Sequence, residues 1–293
     1  MRLINGKTRL YCLIGDPVQH SLSPIIHNAA FEKLNINAVY LAFNVSKDNL
    51  KKAVDGLRSL NVAGFNVTMP HKVSILSLLD RIDSLAEKIG AVNTVKNVDG
   101  KLVGYNTDGI GALEALKRNG VKLKGKKVAI VGAGGAGKAI AFALAQQLEK
   151  FGGEITIFNR TVEKAVWLEK SLTETFDVKV KGLKLSDLNL KNELKNVDIL
   201  INATSVGMYP SIGKTPVSKN LIKPNMVVFD VIYEPLKTRL LTEAEKRGAK
   251  IVRGIDMLVY QAAKAFEIWI KKKPPIKEMF KATLRILKSS KRL

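Results

Sequence analysis

Cysteine is nearly absent from this sequence: its 293 residues include only Cys12, which excludes an internal disulfide framework and is typical of a reducing compartment. Histidine is also scarce, and His20, His27 and His71 lack the spacing of metal ligands, so we predict no metal site. No run of about 18 apolar residues suggests a membrane span. The first residues lack the apolar segment of a secretory signal. We therefore expect a cytoplasmic protein without a membrane partner.

Acidic residues are few as well. The chain has 48 Lys and Arg residues against 26 Asp and Glu, which gives a formal net charge of +22. Such an excess is typical of nucleic-acid-binding proteins. Here the basic residues are spread over the whole chain, and the basic tail from Lys288 to Leu293 is short. Steering of anionic ligands explains part of the charge, and a lysine-rich surface adapted to heat or salt explains most of it. We predict no nucleic-acid partner.

The most informative segment, residues 127–150, joins a β-branched run to clustered glycines and an alanine-rich helical pattern. Strand, tight turn and helix form the context in which G-x-G-x-x-G indicates dinucleotide binding. Gly132 can make the turn, Gly134 lets the backbone approach a pyrophosphate, and Gly137 lets the helix pack on the strand. The predicted cofactor loop consists of Gly132, Ala133, Gly134, Gly135, Ala136 and Gly137.

The same residues also fit a P-loop, because Gly137 and Lys138 complete the pattern G-x-x-x-x-G-K. The next residue is Ala139, so the hydroxyl that would hold Mg²⁺ is missing, and we favour the dinucleotide interpretation. A glycine-rich turn without a ligand is the remaining alternative.

The end of the next strand indicates which dinucleotide is bound. Asn159 and Arg160 stand where NAD-binding proteins carry an acid. Arg160 can bind a 2′-phosphate with two hydrogen bonds. Thr161 follows, and Lys164 lies one helical turn further on and adds positive charge. These residues favour NADP; the alternative is that Arg160 faces solvent at the end of a strand.

Strand-like and helix-like runs alternate along most of the chain, which predicts an α/β fold with mostly parallel sheets. Predicted strands span residues 10–14, 38–45, 62–67, 155–158, 198–201, 227–231 and 250–252, and a hairpin over 92–105 turns at Asp99 and Gly100. Predicted helices span residues 24–34, 47–60, 70–79 and 109–119, followed by a helical pattern from Ile255 to Leu287 that breaks at Pro274 and Pro275.

We predict two domains. An N-terminal α/β substrate domain comprises residues 1–110 together with 256–293, so the C-terminal helices return to it. Residues 111–255 form a Rossmann-like NADP-binding domain.

Three polar clusters flank the predicted strands of the first domain. Residues 21–24, Ser-Leu-Ser-Pro, begin a helix, where the hydroxyls could hold a carboxylate or simply cap the helix. Residues 66–72, Asn-Val-Thr-Met-Pro-His-Lys, follow a strand, and a helix from Pro70 would direct Lys72 into a crevice. The third cluster combines Asn93-Thr94 with Asn106-Thr107-Asp108 at the far end of the hairpin.

In this order the clusters resemble the motifs of shikimate dehydrogenases. Each motif is weak alone, but together they cover nearly the whole chain and resemble the NADP-preferring biosynthetic type. The matching segments begin at Ser21, Asn66, Gly90 (Gly-Ala-Val-Asn-Thr), Gly104 (Gly-x-Asn-Thr-Asp-Gly), Gly132, Asn159, Asn202 (Asn-Ala-Thr-Ser-Val-Gly-Met), Asp230 (Asp-x-x-Tyr-x-Pro-x-x-Thr) and Gly254 (Gly-x-x-Met-Leu-x-x-Gln-Ala).

The resemblance implies reversible, NADPH-dependent reduction of 3-dehydroshikimate to shikimate in aromatic amino acid (chorismate) biosynthesis. It implies that Lys72 and Asp108 are catalytic and act at the reacting oxygen, with Asp108 orienting Lys72. Around the substrate it implies Ser21 and Ser23 at the carboxylate, Tyr233 near it, and Asn66, Thr68, Asn93, Asp108 and Gln261 at ring hydroxyls. Thr204, Ser205, Met208 and Gly254 would flank the cofactor.

The chemistry of these residue types agrees with that assignment. Hydride transfer to a ketone leaves negative charge on the oxygen, which an ammonium can stabilise and protonate. A helix-start lysine that merely faces solvent is the alternative for Lys72. A relative acting on quinate, a non-catalytic NADP(H) sensor and an RNA-binding protein are the other functions that we consider. The expected partner is the small-molecule substrate, and a homodimer stays open.

Overall fold

The computed structural model describes residues 4–289. The basic tail predicted at the end of the chain lies mostly outside the described residues, as do the first three residues of the N-terminal segment. The strands are β1 (Arg9–Gly15), β2 (Ala38–Asn44), β3 (Gly64–Val67), β4 (Arg81–Ile82), β5 (Thr94–Val98), β6 (Lys101–Tyr105), β7 (Lys126–Val131), β8 (Gly153–Asn159), β9 (Lys179–Lys184), β10 (Ile199–Asn202), β11 (Val227–Asp230) and β12 (Lys250–Val252).

The α-helices are α1 (Ser23–Lys33), α2 (Leu50–Ser59), α3 (Ser84–Ile89), α4 (Asp108–Arg118), α5 (Gly135–Phe151), α6 (Val162–Thr173), α7 (Asp187–Glu193), α8 (Arg239–Lys246), α9 (Gly254–Ile270) and α10 (Ile276–Ser289). Short 3₁₀ helices span Lys47–Asn49, Ser74–Leu78, Leu194–Asn196 and Lys219–Leu221. No helix in this described part of the chain has the length and apolar character needed to cross a membrane.

The chain divides into two compact units. The first unit consists of Met1–Thr107 and Val259–Leu293, and the second of Asp108–Leu258. Which unit binds the substrate and which binds the cofactor stays a prediction at this point.

The first unit is built on a six-stranded sheet with the order β2-β1-β3-β5-β6-β4. β1 pairs in parallel with β2 and β3, whereas β5 runs antiparallel to both β3 and β6. The interior strand β1 is buried on both faces, because Cys12 and Ile14 belong to one core cluster while Tyr11 packs against aromatic rings. Burial on both faces explains why its sequence is an unbroken apolar run.

The last helices complete the first unit. Trp269 of α9 donates from Nε1 to the carbonyl of Val95 in β5 at 2.9 Å, and Lys96 donates to the carbonyl of Ile268 at 3.0 Å. Gly64 makes room for the indole, because an ideal Cβ there would lie 2.7 Å from Trp269 Cδ1. The prediction that the C-terminal helices return to the first domain is confirmed.

The second unit contains a fully parallel sheet with the order β12-β11-β10-β7-β8-β9. This order is that of a doubly wound dinucleotide-binding fold, in which ligands bind where the strand order reverses. The reversal lies between β7 and β10, at the carboxyl ends that lead into Gly132 and Asn202. The predicted α/β class with a Rossmann-like domain is confirmed.

The prediction of a helix over residues 70–79 is wrong. Residues 69–73 form turns, and only Ser74–Leu78 is helical, as a 3₁₀ helix. The carbonyl of Lys72 accepts the N–H of Val92 at 2.8 Å, and the ring of His71 bonds the carbonyl of Val45 at 2.6 Å. These tertiary bonds use groups that a helix from Pro70 would direct elsewhere.

Candidate active site

Polar side chains gather at one edge of the first sheet. Because β5 runs antiparallel to its neighbours, its first residue lies level with the ends of β3 and β6: Thr94 is opposite Asn66 on one side and Tyr105 on the other. The predicted clusters at residues 66, 93–94 and 106–107 therefore meet, and we call Asn66, Asn93, Thr94, Thr107 and Gln261 the amide cluster.

The amide cluster is held together by a network of hydrogen bonds. Asn93 donates from Nδ2 to Thr107 Oγ1 at 3.0 Å, and its Oδ1 accepts the N–H of Thr107 at 2.9 Å and the hydroxyl of Thr94 at 2.9 Å. Gln261 joins from α9, with its Oε1 3.4 Å from Thr107 Oγ1. All but Gln261 are nearly inaccessible to solvent. A rigid set of amides and hydroxyls is suited to binding a polyhydroxylated molecule.

Asn66 occupies the centre of this edge. Its Nδ2 donates to the carbonyl of Asn93 at 3.0 Å and to Thr94 Oγ1 at 2.9 Å, and its Oδ1 accepts the hydroxyl of Tyr40 at 2.7 Å. Tyr40 belongs to β2 and is fully buried. Sequence reasoning missed Tyr40. It placed Thr94 and Thr107 in the third polar cluster but gave neither a contact with the substrate.

The two predicted carboxylate-binding serines stand at the start of α1. Ser21 is partly buried and its Oγ accepts the N–H of Ser23 at 3.3 Å, while Ser23 is 8% exposed. The N-cap residue Leu22 makes no side-chain capping bond, but Ser21 takes the N–H of the first helical residue, so the capping alternative stays open for Ser21. Its first-turn N–H groups and the two hydroxyls remain suited to an anion.

Lys72 lies in the turns that follow β3, four residues after Thr68, and is partly buried. Three bonds fix this turn: the N–H of His71 to the carbonyl of Thr68 at 2.9 Å, the His71 ring to Val45, and the Lys72 carbonyl to Val92. The backbone that carries Lys72 is therefore anchored on both sides.

Asp108 belongs to the second unit. It is the first residue of α4 and only 6% exposed, and a carboxylate in the first turn interacts favourably with the helix dipole. The following Gly109 packs against α5, because an ideal Cβ there would lie 2.8 Å from Ala143 Cβ. This contact fixes the start of α4, and with it the backbone of Asp108.

The glycine loop connects β7 to α5. Gly132 has a φ of +108°, which side chains rarely tolerate, and a Cβ on Gly137 would overlap the Gly132 carbonyl oxygen. A Cβ on Gly134 would meet nothing within 4 Å, so the backbone there is open to approach. Asn159 braces the loop, since its Oδ1 accepts the N–H of Ala133 at 3.0 Å. The loop therefore fits a pyrophosphate at the N-terminus of α5.

Positive charge surrounds the exit of β8. Arg160 and Lys164 are exposed, and neither forms an ion pair with a residue in the described range. The Nζ of Lys138, on the first turns of α5, lies 3.9 Å from the centre of the Trp167 ring. Burial and, second, the charge of Lys164 lower the pKa of Lys138. Sequence reasoning did not include Lys138 among the residues that bind the cofactor, although it lies beside Lys164 in this basic region.

A buried network supports the loop after β10. Asn202 accepts the hydroxyl of Thr204 at 2.7 Å and donates to Asp230 Oδ1 at 3.1 Å, and Thr238 donates to Asp230 Oδ2 at 2.7 Å. Burial raises the pKa of Asp230 to about 6, against the lowering effect of these bonds. The Asp230-to-Thr238 motif thus has a structural role that the sequence did not reveal.

Four further residues of the second unit were predicted to contact the cofactor or the substrate. Ser205 and Met208 are exposed, Gly254 is buried, and Tyr233 is partly buried, with its pKa raised by burial and by the Glu234 carboxylate. Among the described residues no three His, Cys, Asp or Glu side chains gather as a metal site.

His27 is a buried polar residue beside the amide cluster. It stacks on Tyr40 with ring centres 4.5 Å apart, and neither ring nitrogen has a hydrogen-bond partner in residues 4–289. Burial lowers the pKa of His27 to about 3. The folded state therefore holds His27 neutral at any moderate pH.

Replacing His27 with leucine should remove a pH dependence of stability. An unfolded histidine has a pKa of about 6.5, so between pH 6.5 and 3 the unfolded state binds more protons and the wild type loses stability as pH falls. We expect a slope of about 1.4 kcal/mol per pH unit in this window, which the His27→Leu variant lacks. Urea unfolding at pH 7.5, 6 and 5 measures the difference.

Trp269 offers a local reporter, since its ring centre lies 5.1 Å from that of His27. The only other tryptophan is Trp167, which belongs to the second unit together with Asp230. In a Trp167→Phe background the tryptophan fluorescence therefore comes from the first unit alone, away from the titrating Asp230. Equal slopes for wild type and His27→Leu would contradict the prediction.

These features define the class of the protein. The second unit has a doubly wound sheet with a glycine loop and no acid after β8, and the first unit carries clustered amides and hydroxyls. This combination is typical of a dinucleotide-dependent oxidoreductase that acts on a small polar substrate.

Comparison with known proteins gives the particular family. The model of the shikimate dehydrogenase substrate binding domain matches residues 13–95, that of shikimate / quinate 5-dehydrogenase residues 114–233, and that of the shikimate 5′-dehydrogenase C-terminal domain residues 254–283. The chain belongs to the shikimate dehydrogenase family.

Individual relatives match nearly the whole chain. The protein named shikimate dehydrogenase (NADP(+)) of Methanocaldococcus jannaschii is 49% identical over 284 residues, 96% of this chain and 98% of that protein. A solved shikimate dehydrogenase in complex with NADP⁺ superposes with a TM-score of 0.90 at 48% identity, covering 97% of this chain and 98% of that one. The structure of shikimate 5-dehydrogenase from Listeria monocytogenes in complex with shikimate and NAD superposes with a TM-score of 0.89 at 43% identity. The match covers 95% of this chain and 97% of that one.

Proposed function

We propose that the protein catalyses the reversible, NADPH-dependent reduction of 3-dehydroshikimate to shikimate. The observation that carries this proposal is the 49% identity across 96% of the chain to an enzyme of that name. The geometry supports it, because the amide cluster offers several fixed donors and acceptors for the ring hydroxyls of such a substrate.

The first unit holds the substrate in this proposal. Ser21 and Ser23 at the start of α1 bind its carboxylate, and Tyr233 adds a contact near it. Asn66, Thr68, Asn93, Asp108 and Gln261 bind the ring hydroxyls. These amides and hydroxyls favour a polar ligand over an apolar one, since an apolar ligand would leave their remaining hydrogen-bonding capacity unpaired.

Lys72 and Asp108 carry the proton chemistry. The nicotinamide supplies a hydride to the ketone carbon, and Lys72 stabilises the charge that develops on the oxygen and donates the proton. Asp108 accepts a hydrogen bond from a substrate hydroxyl and keeps that hydroxyl oriented. A non-catalytic NADP(H) sensor would have no need of these two residues.

The second unit holds the cofactor. The loop from Gly132 to Gly137 binds the pyrophosphate, and Arg160, Thr161 and Lys164 bind the 2′-phosphate of NADP. Asn159 shapes the loop through its bond to Ala133. Thr204, Ser205, Met208 and Gly254 line the rest of the cofactor site.

An absorbance assay of NADPH formation tests the proposal, with shikimate and quinate each supplied with NADP⁺ and with NAD⁺. Activity on shikimate with NADP⁺ supports it, and no turnover of shikimate with either cofactor refutes it. Oxidation of quinate is a second candidate activity, favoured by the match of residues 114–233 to a shikimate / quinate dehydrogenase model. The cytoplasmic location and a homodimer stay predictions.

A further inference from the structure

The side-chain amide of Asn66 has little hydrogen-bonding capacity left. Both Nδ2 protons are used, on the carbonyl of Asn93 and on Thr94 Oγ1. The Asn93 carbonyl can only accept, so the atom that faces it must be nitrogen and the orientation of the amide is fixed. Oδ1 takes the Tyr40 hydroxyl and keeps one lone pair. Toward a bound molecule, Asn66 can therefore only accept a hydrogen bond.

Tyr40 supplies that one donor from a position fixed by other contacts. Its main chain is clamped by Asn28, whose Nδ2 donates to the Tyr40 carbonyl at 2.8 Å and whose Oδ1 accepts the Tyr40 N–H at 2.9 Å. Its ring is stacked on His27. Burial, with a smaller contribution from Cys12, raises the pKa of Tyr40 well above its ordinary value, against the lowering effect of a hydrogen bond with the Ser23 side chain, so the phenol stays a donor. Removing the hydroxyl alone leaves the clamp and the stack in place.

We propose that Tyr40 is a positioning residue for substrate recognition: its hydroxyl holds Asn66 Oδ1 where this oxygen accepts a hydrogen bond from one of the two ring hydroxyls that do not react. The proposal rests on the proposed function, because it takes shikimate as the ligand. It assigns a direction to the contact, in which the substrate is the donor. A side chain locked in its bound orientation pays no ordering cost when the substrate arrives.

Tyr11 provides a matched comparison within the same aromatic cluster. Its ring centre lies 5.1 Å from that of Trp269, and it is buried to the same degree as Tyr40. Its hydroxyl accepts a hydrogen bond from Arg9 Nη2 at 2.8 Å rather than bonding Asn66. A Tyr11→Phe variant therefore removes a phenol from the same core without touching the amide cluster.

The test compares three substrates: shikimate and the two analogues that each lack one non-reacting hydroxyl. For Tyr40→Phe we expect kcat/KM with shikimate to fall about fivefold to tenfold. Most of the fall lies in KM for shikimate, while KM for NADP⁺ is unchanged. With one of the two analogues the variant should lose clearly less than with the other two substrates, because the hydroxyl that Asn66 recognises is gone, whereas any effect through Ser23 is the same for all three. Tyr11→Phe should match the wild type on all three substrates.

An equal loss on all three substrates would overturn the proposal, since a general structural defect cannot distinguish them. Failure of Tyr40→Phe to fold, where Tyr11→Phe folds, would also overturn it. In an Asn66→Ala background the Tyr40→Phe change should have no further effect, and a persisting fivefold loss there would contradict a role through Asn66. A wild-type protein inactive on shikimate would instead refute the proposed function.

Discussion

Replacing Lys72 with alanine is expected to lower kcat for shikimate oxidation by about 100-fold to 10 000-fold, the range for loss of a general acid–base group. The reason is that no other ammonium is proposed at the reacting oxygen. Binding of NADP⁺ should be unchanged, because Lys72 belongs to the first unit and the glycine loop to the second. Steady-state kinetics and fluorescence titration with NADP⁺ measure the two quantities.

Lys52→Ala is the matched control for this prediction. Lys52 is exposed on α2, so its loss removes the same charge from the +22 total without touching the turn that carries Lys72. A Lys72→Ala enzyme with near-normal kcat would refute the catalytic assignment. A parallel loss of NADP⁺ binding would indicate a wider structural change instead.

Replacing Arg160 with alanine should lower kcat/KM for NADP⁺ by about 10-fold to 100-fold and leave the value for NAD⁺ nearly unchanged. A charge-assisted hydrogen bond to a phosphate is worth about 1.5–3 kcal/mol, and only NADP⁺ carries the 2′-phosphate. Lys138 and Lys164 stay in place and keep part of the affinity. Initial rates over a range of each cofactor, with shikimate saturating, measure the ratio.

Lys170→Ala serves as the control, since Lys170 is an exposed cation on α6 that pairs with Glu174 away from the glycine loop. An unchanged NADP⁺ to NAD⁺ ratio in Arg160→Ala would contradict the role of Arg160. Equal wild-type efficiency with both cofactors would contradict the NADP preference itself.

Local pattern was enough to predict the elements that are buried or strongly periodic. The strand at Tyr11 to Ile14 and the hairpin turning at Asp99-Gly100 are both where the sequence places them. Asp99 and Gly100 both have positive φ, as a tight hairpin turn requires. The predicted helical break at Pro274 and Pro275 is also present, since α9 ends at Ile270 and α10 begins at Ile276.

Elements that depend on distant partners were not predicted. β9 has lysine at three of its six positions and lies at the edge of its sheet, so it lacks an apolar signature. Its Gly182 is required by close approach of α6, since a Cβ there would contact the Ala165 backbone. The sequence around Lys72 has a helical pattern, but its polar groups bond residues that are distant in sequence. The carbonyl of Lys72 accepts the N–H of Val92, and the ring of His71 bonds the carbonyl of Val45.

In the candidate site too, the sequence indicated individual residues but not the contacts between distant elements. The motifs located the serines, Lys72, Asn66 and the glycine loop, because those residue types carry recognisable chemistry. They did not indicate that Tyr40 bonds Asn66, or that Lys138 lies over Trp167, because both contacts join elements that only the tertiary structure brings together.

Construction of the first unit from both ends of the chain sets an order of events during translation. A ribosome adds about 5–20 residues per second, so Trp269 is made roughly 10 to 30 seconds after Thr107 at the end of the first segment. Through that interval the Val95 carbonyl and the cleft at Gly64 lack the indole that covers them. The second unit is one continuous segment, so its synthesis is complete before Trp269 is made. The first unit is therefore begun first and completed last.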